Sequence, residues 1–462
     1  MQNNQMNNEN PLGTKPVGTL LQKYAIPSIV AMLVGALYNI VDQFFIGQKI
    51  GELGNAATNV AFPLTTSCVA IALLLGIGAA AAFNLTIGEG NKDKAVYYVG
   101  NAVTMLFLMG TALCILTQVF LTPLLKFFGS PDNVLDYART YTRITSIGFP
   151  FIIMSNGCGH LIRADGSPKY AMTCNLSGAI INAILDPIFI FGLNMDMAGA
   201  ALATVIGQVF SFLIAVSYLR RYKTVKILRQ HMVPHWEYTG WILRLGAAPA
   251  FNQIAMMAVQ IVMNKSLTYY GANSVYGESI PLACAGIVSK VNMVFFSVII
   301  GISQGMQPIA SFNYGARQFD RVKHVFKVAL RADLAASIVA FLLFQLIPRP
   351  IISLFGAGSE TYFAFAEAYF RIYMFFTFIN CVQPISSNFF TAIGKPKKGV
   401  FISLTRQIIF LLPLILIFPL FWGINGIMYA GPTADFLAAA VSGALIIAEL
   451  RHMGKTQYIQ SP

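Results

Sequence analysis

Residues 168–192 read PKYAMTCNLSGAIINAILDPIFIFG. From Gly178 onward this stretch is apolar except for Asn182 and Asp186. A helix that crosses a bilayer needs about 20 predominantly apolar residues, and this stretch is long enough. An ionised carboxylate in hydrocarbon costs about 3 kcal/mol or more, so acids inside such helices are rare and usually functional. The stretch therefore predicts a membrane-spanning helix that carries a functional acid.

Similar apolar stretches recur along all 462 residues, for example at 29–45, 64–82, 102–120 and 408–421. Hydrophobic residues make up 56% of the chain and charged residues only 11%, against about 25% charged residues in soluble proteins. This composition excludes a large soluble core. The formal net charge of +13 comes from clusters between the apolar stretches, without a basic stripe of interleaved aromatics. We therefore expect no nucleic-acid partner and interpret the excess as a signal of membrane topology.

The pattern predicts twelve membrane-spanning helices in the lipid bilayer. They lie at about 20–46, 56–86, 97–124, 135–163, 168–192, 197–221, 240–270, 282–312, 322–348, 362–392, 398–421 and 425–450. Lys and Arg collect in the loops that follow the even-numbered helices, which places both termini in the cytoplasm. We expect a multi-pass protein of the bacterial inner (plasma) membrane.

The chain divides into two related lobes. The predicted segments are a cytoplasmic tail (1–19), an N-terminal six-helix lobe (20–221), a cytoplasmic inter-lobe loop (222–239), a C-terminal six-helix lobe (240–450) and a second cytoplasmic tail (451–462). Tyr141-Thr-Arg-Ile recurs 228 residues later as Tyr369-Phe-Arg-Ile. Equally oriented repeats imply a two-fold axis along the membrane normal, with a substrate path between them. The predicted fold is an all-α polytopic membrane protein with twelve helices in two pseudo-symmetric six-helix bundles.

A second embedded acid, Asp42, lies in the first predicted helix. From Lys23 to Asp42, and from Lys169 to Asp186, the rise is about 26–28 Å at 1.5 Å per residue. The two acids therefore reach a similar depth in the outer part of the membrane. Asn182 lies one turn before Asp186 on the same helix face.

Two further polar side chains reach the same predicted layer, Tyr141 on the fourth helix and Thr204 on the sixth. With Asp42, Asn182 and Asp186 they form a candidate site for Na⁺ or for a shared proton. Pro187 cannot donate a hydrogen bond to the carbonyl of Ala183, so a kink is predicted there.

Simpler interpretations of these residues stay open. In one interpretation, Asp42 only marks the end of the first helix. In another, Asn182 and Thr204 form hydrogen bonds between packed helices, as amides and hydroxyls commonly do in membranes. Tyr141 also suits an aromatic belt at the interface.

The second half lacks the acidic pair, because Asn264 and Leu414 stand at the positions that correspond to Asp42 and Asp186.

Lys265 and Lys290 are candidates for the substrate path, or they snorkel to the interface. Met154, Phe251 and Met257, together with Gln253 and Asn264, complete this candidate set, since Met and Phe suit an adaptable apolar pocket. For any single apolar residue, helix packing or lipid contact is the alternative. Glu367 and Arg371, one turn apart, are predicted to form an ion pair.

Four motifs stand out in the first half of the chain: Asn39-Ile-Val-Asp-Gln-Phe-Phe-Ile-Gly47, Arg163-Ala-Asp-Gly-Ser-Pro168, Asn182-Ala-Ile-Leu-Asp-Pro187 and Gly199-Ala-Ala-Leu-Ala-Thr204. They are similar to motifs of the multidrug and toxic compound extrusion (MATE) family, in its MepA-like branch near the DinF group. The resemblance implies export of small amphipathic or cationic drugs and dyes, driven by inward Na⁺ or H⁺ flow. It also implies that Asp42, Tyr141, Asn182, Asp186 and Thr204 bind the coupling cation.

We expect a secondary active antiporter that works as a monomer by alternating access, without a cofactor. The alternative function is a flippase for lipid-linked saccharides or another amphiphile, which needs a larger cationic cavity than Lys265, Lys290 and Arg406 provide. An enzyme is not expected, because no His/acid metal motif or nucleophile elbow is present in the sequence.

Overall fold

The computed structural model describes residues 10–277, 279–354 and 359–454. Within these ranges the chain is almost entirely helical and contains no strand. The first half contains α1 (Val17–Ile50), α2 (Glu52–Gly88), α3 (Lys92–Val119), α4 (Asp132–Ile147 and Phe149–Ala164), α5 (Pro168–Pro187, continued by a π-helical segment at Ile188–Gly192) and α6 (Asp196–Leu219).

The second half repeats this order of helices. It contains α7 (Trp236–Ala272), α8 (Ser279–Gly315), α9 (Phe319–Leu346), α10 (Glu360–Tyr373, Thr377–Asn380 and Val382–Ala392), α11 (Pro396–Leu404, a π-helical segment at Thr405–Leu411, and Leu412–Trp422) and α12 (Ile424–His452). Short helical segments at Pro11–Thr14, Leu121–Phe127, Arg229–Met232 and Pro348–Ser353 connect or precede them.

Nine of these helices are long and apolar enough to cross a membrane, counting only the parts of the chain that the structure describes. The other three are α4 and α10, which are interrupted, and α9, whose first half is strongly charged. The helices extend a few residues past the predicted spans at several ends; α1, for example, begins at Val17 rather than near residue 20. The expected all-α membrane fold is confirmed.

Two predicted helices, the fourth and the tenth, are interrupted rather than continuous. α4 breaks at Gly148, where Pro150 follows and has no N–H for the carbonyl of the preceding turn. α10 breaks around Phe376, which lies 228 residues after Gly148. The breaks therefore occur at corresponding positions of the repeat.

The two halves meet at the end of the bundle that carries the chain termini, which we call the terminal end. One hydrophobic core there contains residues of both halves, from Leu12 to Met453. Towards the opposite end, each half has a core of its own, around Ile46 and Leu125 in the first half and Phe365 and Ile427 in the second. The halves are thus joined at one end and separately packed at the other.

Glycines allow the closest approach between the halves. A Cβ atom on Gly246 of α7 would lie 1.7 Å from the carbonyl oxygen of Leu74 on α2. A Cβ atom on Gly78 of α2 would lie 2.1 Å from the carbonyl oxygen of Ile242. Backbone cannot yield as a flexible side chain does, so these positions exclude any larger residue in this conformation.

Gly246→Ala is expected to separate the halves at the terminal end, weakening this conformation by about 1–3 kcal/mol, the usual cost of overpacking. Spin labels at the exposed positions Lys23 on α1 and Lys327 on α9 report the separation as a longer distance population. Gly286→Ala on α8 is the matched control, because a Cβ atom there meets nothing within 4 Å. Identical distance distributions for both variants contradict the prediction.

Candidate functional site

Four helices of the first half bring the predicted polar residues together. Asp42 on α1 and Asp186 on α5 are buried, and their carboxyl groups lie next to each other. Thr204 on α6 lies beside them, with the Tyr141 side chain of α4 close to its hydroxyl. The structure thus places all five residues of the predicted layer in one cluster. Their role in cation binding stays a prediction.

Hydrogen bonds hold α5 against α6 at this cluster. The Asn182 amide donates to Oδ1 of Asp186 at 3.4 Å and to the Thr204 hydroxyl at 3.3 Å. Thr204 in turn donates to the carbonyl of Ala200, one turn back, at 3.0 Å. One turn away Gly178 and Gly207 let the helices touch, since a Cβ atom on Gly207 would lie 2.6 Å from the carbonyl oxygen of Gly178.

Three oxygen atoms of the cluster are buried without a hydrogen-bond donor. They are Oδ1 of Asp42, Oδ1 of Asn182 and Oδ2 of Asp186. An unsatisfied buried acceptor costs about 1–3 kcal/mol, and two adjacent carboxylates also repel each other when both are ionised. A proton or a hard cation relieves both penalties, because carboxylate and amide oxygens are suitable ligands for either.

The cluster contains two acidic side chains, Asp42 and Asp186. Within the described ranges no three His, Cys, Asp or Glu side chains group in a way that could hold a metal ion. The oxygen atoms that the cluster offers to a ligand come from two carboxylates, one amide and hydroxyl groups.

Tyr38 is a member of the cluster that sequence reasoning missed. It lies one turn before Asp42 on α1, and its side chain is close to the Thr204 hydroxyl and to both acids. The i, i+4 spacing to Asp42 was a usable signal. Tyr38 and Tyr141 thus place two phenol groups beside the acid pair.

Pro187 marks a change of helix type. The α-helix of α5 continues through Pro187, and the next five residues, Ile188–Gly192, form a π-helical segment. π-Helical segments are rare and occur often at functional sites. The π-helical segment thus begins directly after Pro187, and the kink expected there stays a prediction.

The candidate substrate-path residues lie in different surroundings. Met154 is buried in the core shared by both halves. On α7, Phe251 is 48% exposed, and Gln253 and Met257 are half-buried. Asn264 accepts a hydrogen bond from Gln260 at 2.8 Å. Lys265 and Lys290 are exposed, and their role in substrate transport stays a prediction.

The second half holds its own embedded charges. Arg406 on α11 and Asp435 on α12 are both buried and form an ion pair with an N–O distance of 2.5 Å. The predicted pairing of Glu367 with Arg371 is wrong, because Glu367 lies 3.7 Å from Arg349 instead. The short helix at Pro348–Ser353 carries Arg349 to that position.

A further acid, Asp333 on α9, is fully buried, and neither carboxylate oxygen has a donor. Ser337, one turn on, and Cys381 of α10 lie beside it. We expect Asp333→Asn to leave the thermal unfolding temperature in detergent unchanged or higher, because a buried carboxyl without a partner gains nothing from its charge. Ser337→Ala, which changes a neighbouring side chain and leaves the Asp333 carboxyl group in place, is the control. A clear loss of stability in Asp333→Asn contradicts this expectation.

Comparison with known sequences identifies the family. The sequence model of the MatE family matches residues 27–188 and 249–417, one segment in each half. The chain belongs to the MATE family. This confirms the resemblance seen in the motifs. The first segment includes Asp42, Tyr141, Asn182 and Asp186, whereas Thr204 lies between the two segments.

Several MATE relatives cover most of the chain. A probable multidrug resistance protein, YoeA of Bacillus subtilis, is 25% identical over 73% of each chain. The multidrug export protein MepA of Staphylococcus haemolyticus is 23% identical over 94% of this chain and 93% of its own. A protein of Shewanella oneidensis named FAD transporter is 24% identical, over 94% and 95% of the two chains. The expected MepA-like placement is confirmed.

Solved MATE structures share the fold. An outward-facing MATE transporter of the MOP superfamily superimposes with a TM-score of 0.88 and 21% identity, over 98% of this chain and 99% of that one. A MOP superfamily transporter from Pyrococcus furiosus superimposes with a TM-score of 0.87, over the same shares. The expected arrangement of twelve helices in two bundles is confirmed for this MATE membrane transporter.

Proposed function

We propose that this MATE protein is a secondary active multidrug exporter, which exchanges small amphipathic, often cationic compounds for Na⁺ or H⁺. The observation that carries the proposal is the buried pair Asp42–Asp186 with its unpartnered oxygens. Two adjacent buried acids favour the binding of a proton or a cation, because it relieves their mutual repulsion. The multidrug names of YoeA and MepA relatives support the substrate class.

Alternating access is supported by the separate cores of the two halves. They are joined at the terminal end and separately packed at the other. With both termini in the cytoplasm, as the Lys and Arg distribution predicts, the joined end is cytoplasmic and this conformation faces outward. External cation would then reach the acid pair of the first half. We propose that the protein works as a monomer in the bacterial plasma membrane, without a cofactor.

Dye transport in membrane vesicles tests the proposal and identifies the ion. Na⁺ and pH gradients are imposed separately on inverted vesicles that contain the protein, and ethidium uptake is followed by fluorescence. Uptake that depends on one gradient, and is absent from vesicles without the protein, is the expected result. Uptake under neither gradient contradicts the proposal.

A second candidate substrate class is an anionic amphiphile, such as a flavin dinucleotide or a lipid-linked saccharide. The name FAD transporter of the Shewanella oneidensis relative favours it, and the exposed Lys265 and Lys290 on α7 and α8 provide positive charge. Competition between ethidium and FAD in the same vesicles separates the two classes. Loss of FAD uptake alone in the double variant Lys265→Gln/Lys290→Gln identifies the anionic class.

A further inference from the structure

A small polar cavity lies between the two halves at the terminal end, away from the acid pair. Asn84, His160 and Arg163 line it from the first half, and Gln304 and Gln307 line it from the second. It has room for about one water-sized molecule or ion. Because both halves contribute to its wall, the cavity exists only while the terminal end is closed.

The cavity contains a buried positive charge. Arg163 is only 5% exposed, and its guanidinium donates to Nδ1 of His160 at 2.8 Å. Within the described ranges Arg163 forms no ion pair with a carboxylate. The nearby acid in the sequence, Asp165, accepts instead from the Tyr218 hydroxyl and from backbone N–H groups of the inter-lobe loop.

A buried guanidinium without an anion is strongly unfavourable, since it stays charged at any physiological pH. The carbonyl groups of the last turn of α4 offset part of this charge. The remaining wall of the cavity is neutral and rich in amides. Gln304 is 4% exposed, and its Oε1 atom is buried without a hydrogen-bond donor. Because Gln304 lines the cavity together with Arg163, its NH₂ group can donate to an anion there.

We propose that this cavity binds one small monovalent anion, of the size of chloride, between Arg163 and the amide groups of Gln304 and Asn84. The anion neutralises the guanidinium and connects the two halves, so it stabilises the conformation in which the terminal end is closed. Separation of the halves divides the site and releases the anion. Anion binding is independent of the proposed transport function; only its effect on the transport cycle rests on that function.

Thermal unfolding of the purified full-length protein in detergent tests the proposal. Sodium chloride replaces sodium gluconate at constant Na⁺ concentration and ionic strength, so a cation site is not affected. The expected result is a saturable rise of the unfolding temperature with chloride, which Arg163→Gln abolishes. Arg244→Gln is the matched control, because Arg244 is exposed on α7 and should retain the full chloride response.

Two further measurements keep the test decisive if Arg163→Gln does not fold. Gln304→Met keeps the charge and removes an amide, so its half-saturating chloride concentration should rise about tenfold. Labels at positions 23 and 327 should show chloride narrowing the wild-type distances toward the closed state. No chloride response in the wild type shows that the cavity holds water only, and an unchanged response in Arg163→Gln places the anion elsewhere; either result overturns the proposal. A chloride response without gradient-driven dye uptake contradicts the transport function alone.

Discussion

Asp186→Asn is expected to abolish cation-coupled ethidium efflux while the protein remains folded in the membrane. Asp186 is fully buried beside Asp42, and its Oδ2 atom has no protein donor. The amide keeps the shape of the side chain but removes the charge that attracts the cation. Initial rates in vesicles with an imposed Na⁺ or pH gradient measure the effect.

The size of the expected loss follows from electrostatics. A unit charge about 4 Å from a bound cation contributes about 4 kcal/mol at an effective dielectric constant of about 20. Since about 1.4 kcal/mol corresponds to a tenfold change in affinity, removing the charge should weaken cation binding at least about a hundredfold. A gradient at ordinary ion concentrations then no longer drives transport.

A matched control separates this effect from general damage. Asp196→Asn removes an exposed acid at the start of α6, and it should retain wild-type efflux. Asp42→Asn should behave like Asp186→Asn if the two acids act as one site. Full efflux by both buried-acid variants contradicts the assignment of the site, and loss in Asp42→Asn alone reduces the site to a single acid.

The acid cluster could be predicted from the sequence because two simple rules apply to it. Rise per residue gave a common depth for Asp42 and Asp186, and i, i+4 spacing placed Asn182 on the face of Asp186. Tyr38 obeys the same spacing to Asp42, but a tyrosine in an apolar helix is far less unusual than a carboxylate, so this signal was overlooked. An acidic residue in an apolar helix therefore indicates a site from sequence more clearly than a tyrosine does.

Residues between the halves were much harder to predict. In sequence Arg163 groups with the Lys and Arg residues that predict cytoplasmic loops, but the structure buries it beside a cavity that α4 and α8 both line. Helix periodicity describes only one helix at a time, and the contact between halves depends on which glycines allow backbones to touch. The break of α4 was also missed, because many membrane helices tolerate a proline and Pro150 therefore did not predict a break.

Asp435→Asn is expected to destabilise the second half by about 3–5 kcal/mol, the usual cost of removing one partner of a buried ion pair. Asp435 and Arg406 are 3% and 8% exposed, and they connect α12 to the π-helical segment of α11. Without the carboxylate, the Arg406 charge remains in a low-dielectric interior. Thermal unfolding in detergent, followed by tryptophan fluorescence, measures the loss.

A double variant distinguishes an unpaired charge from lost packing. Arg406→Met/Asp435→Leu removes both charges, and it should be more stable than Asp435→Asn because apolar side chains replace a buried pair at little or no cost. Glu367→Gln is the control at a more exposed pair, in which the Arg349 and Glu367 side chains are 51% and 25% exposed, and the expected change is about 0–1 kcal/mol. If the double variant is as unstable as Asp435→Asn, the stability loss does not come from an unpaired Arg406 charge. It then comes from the loss of the contact that the ion pair makes between α11 and α12.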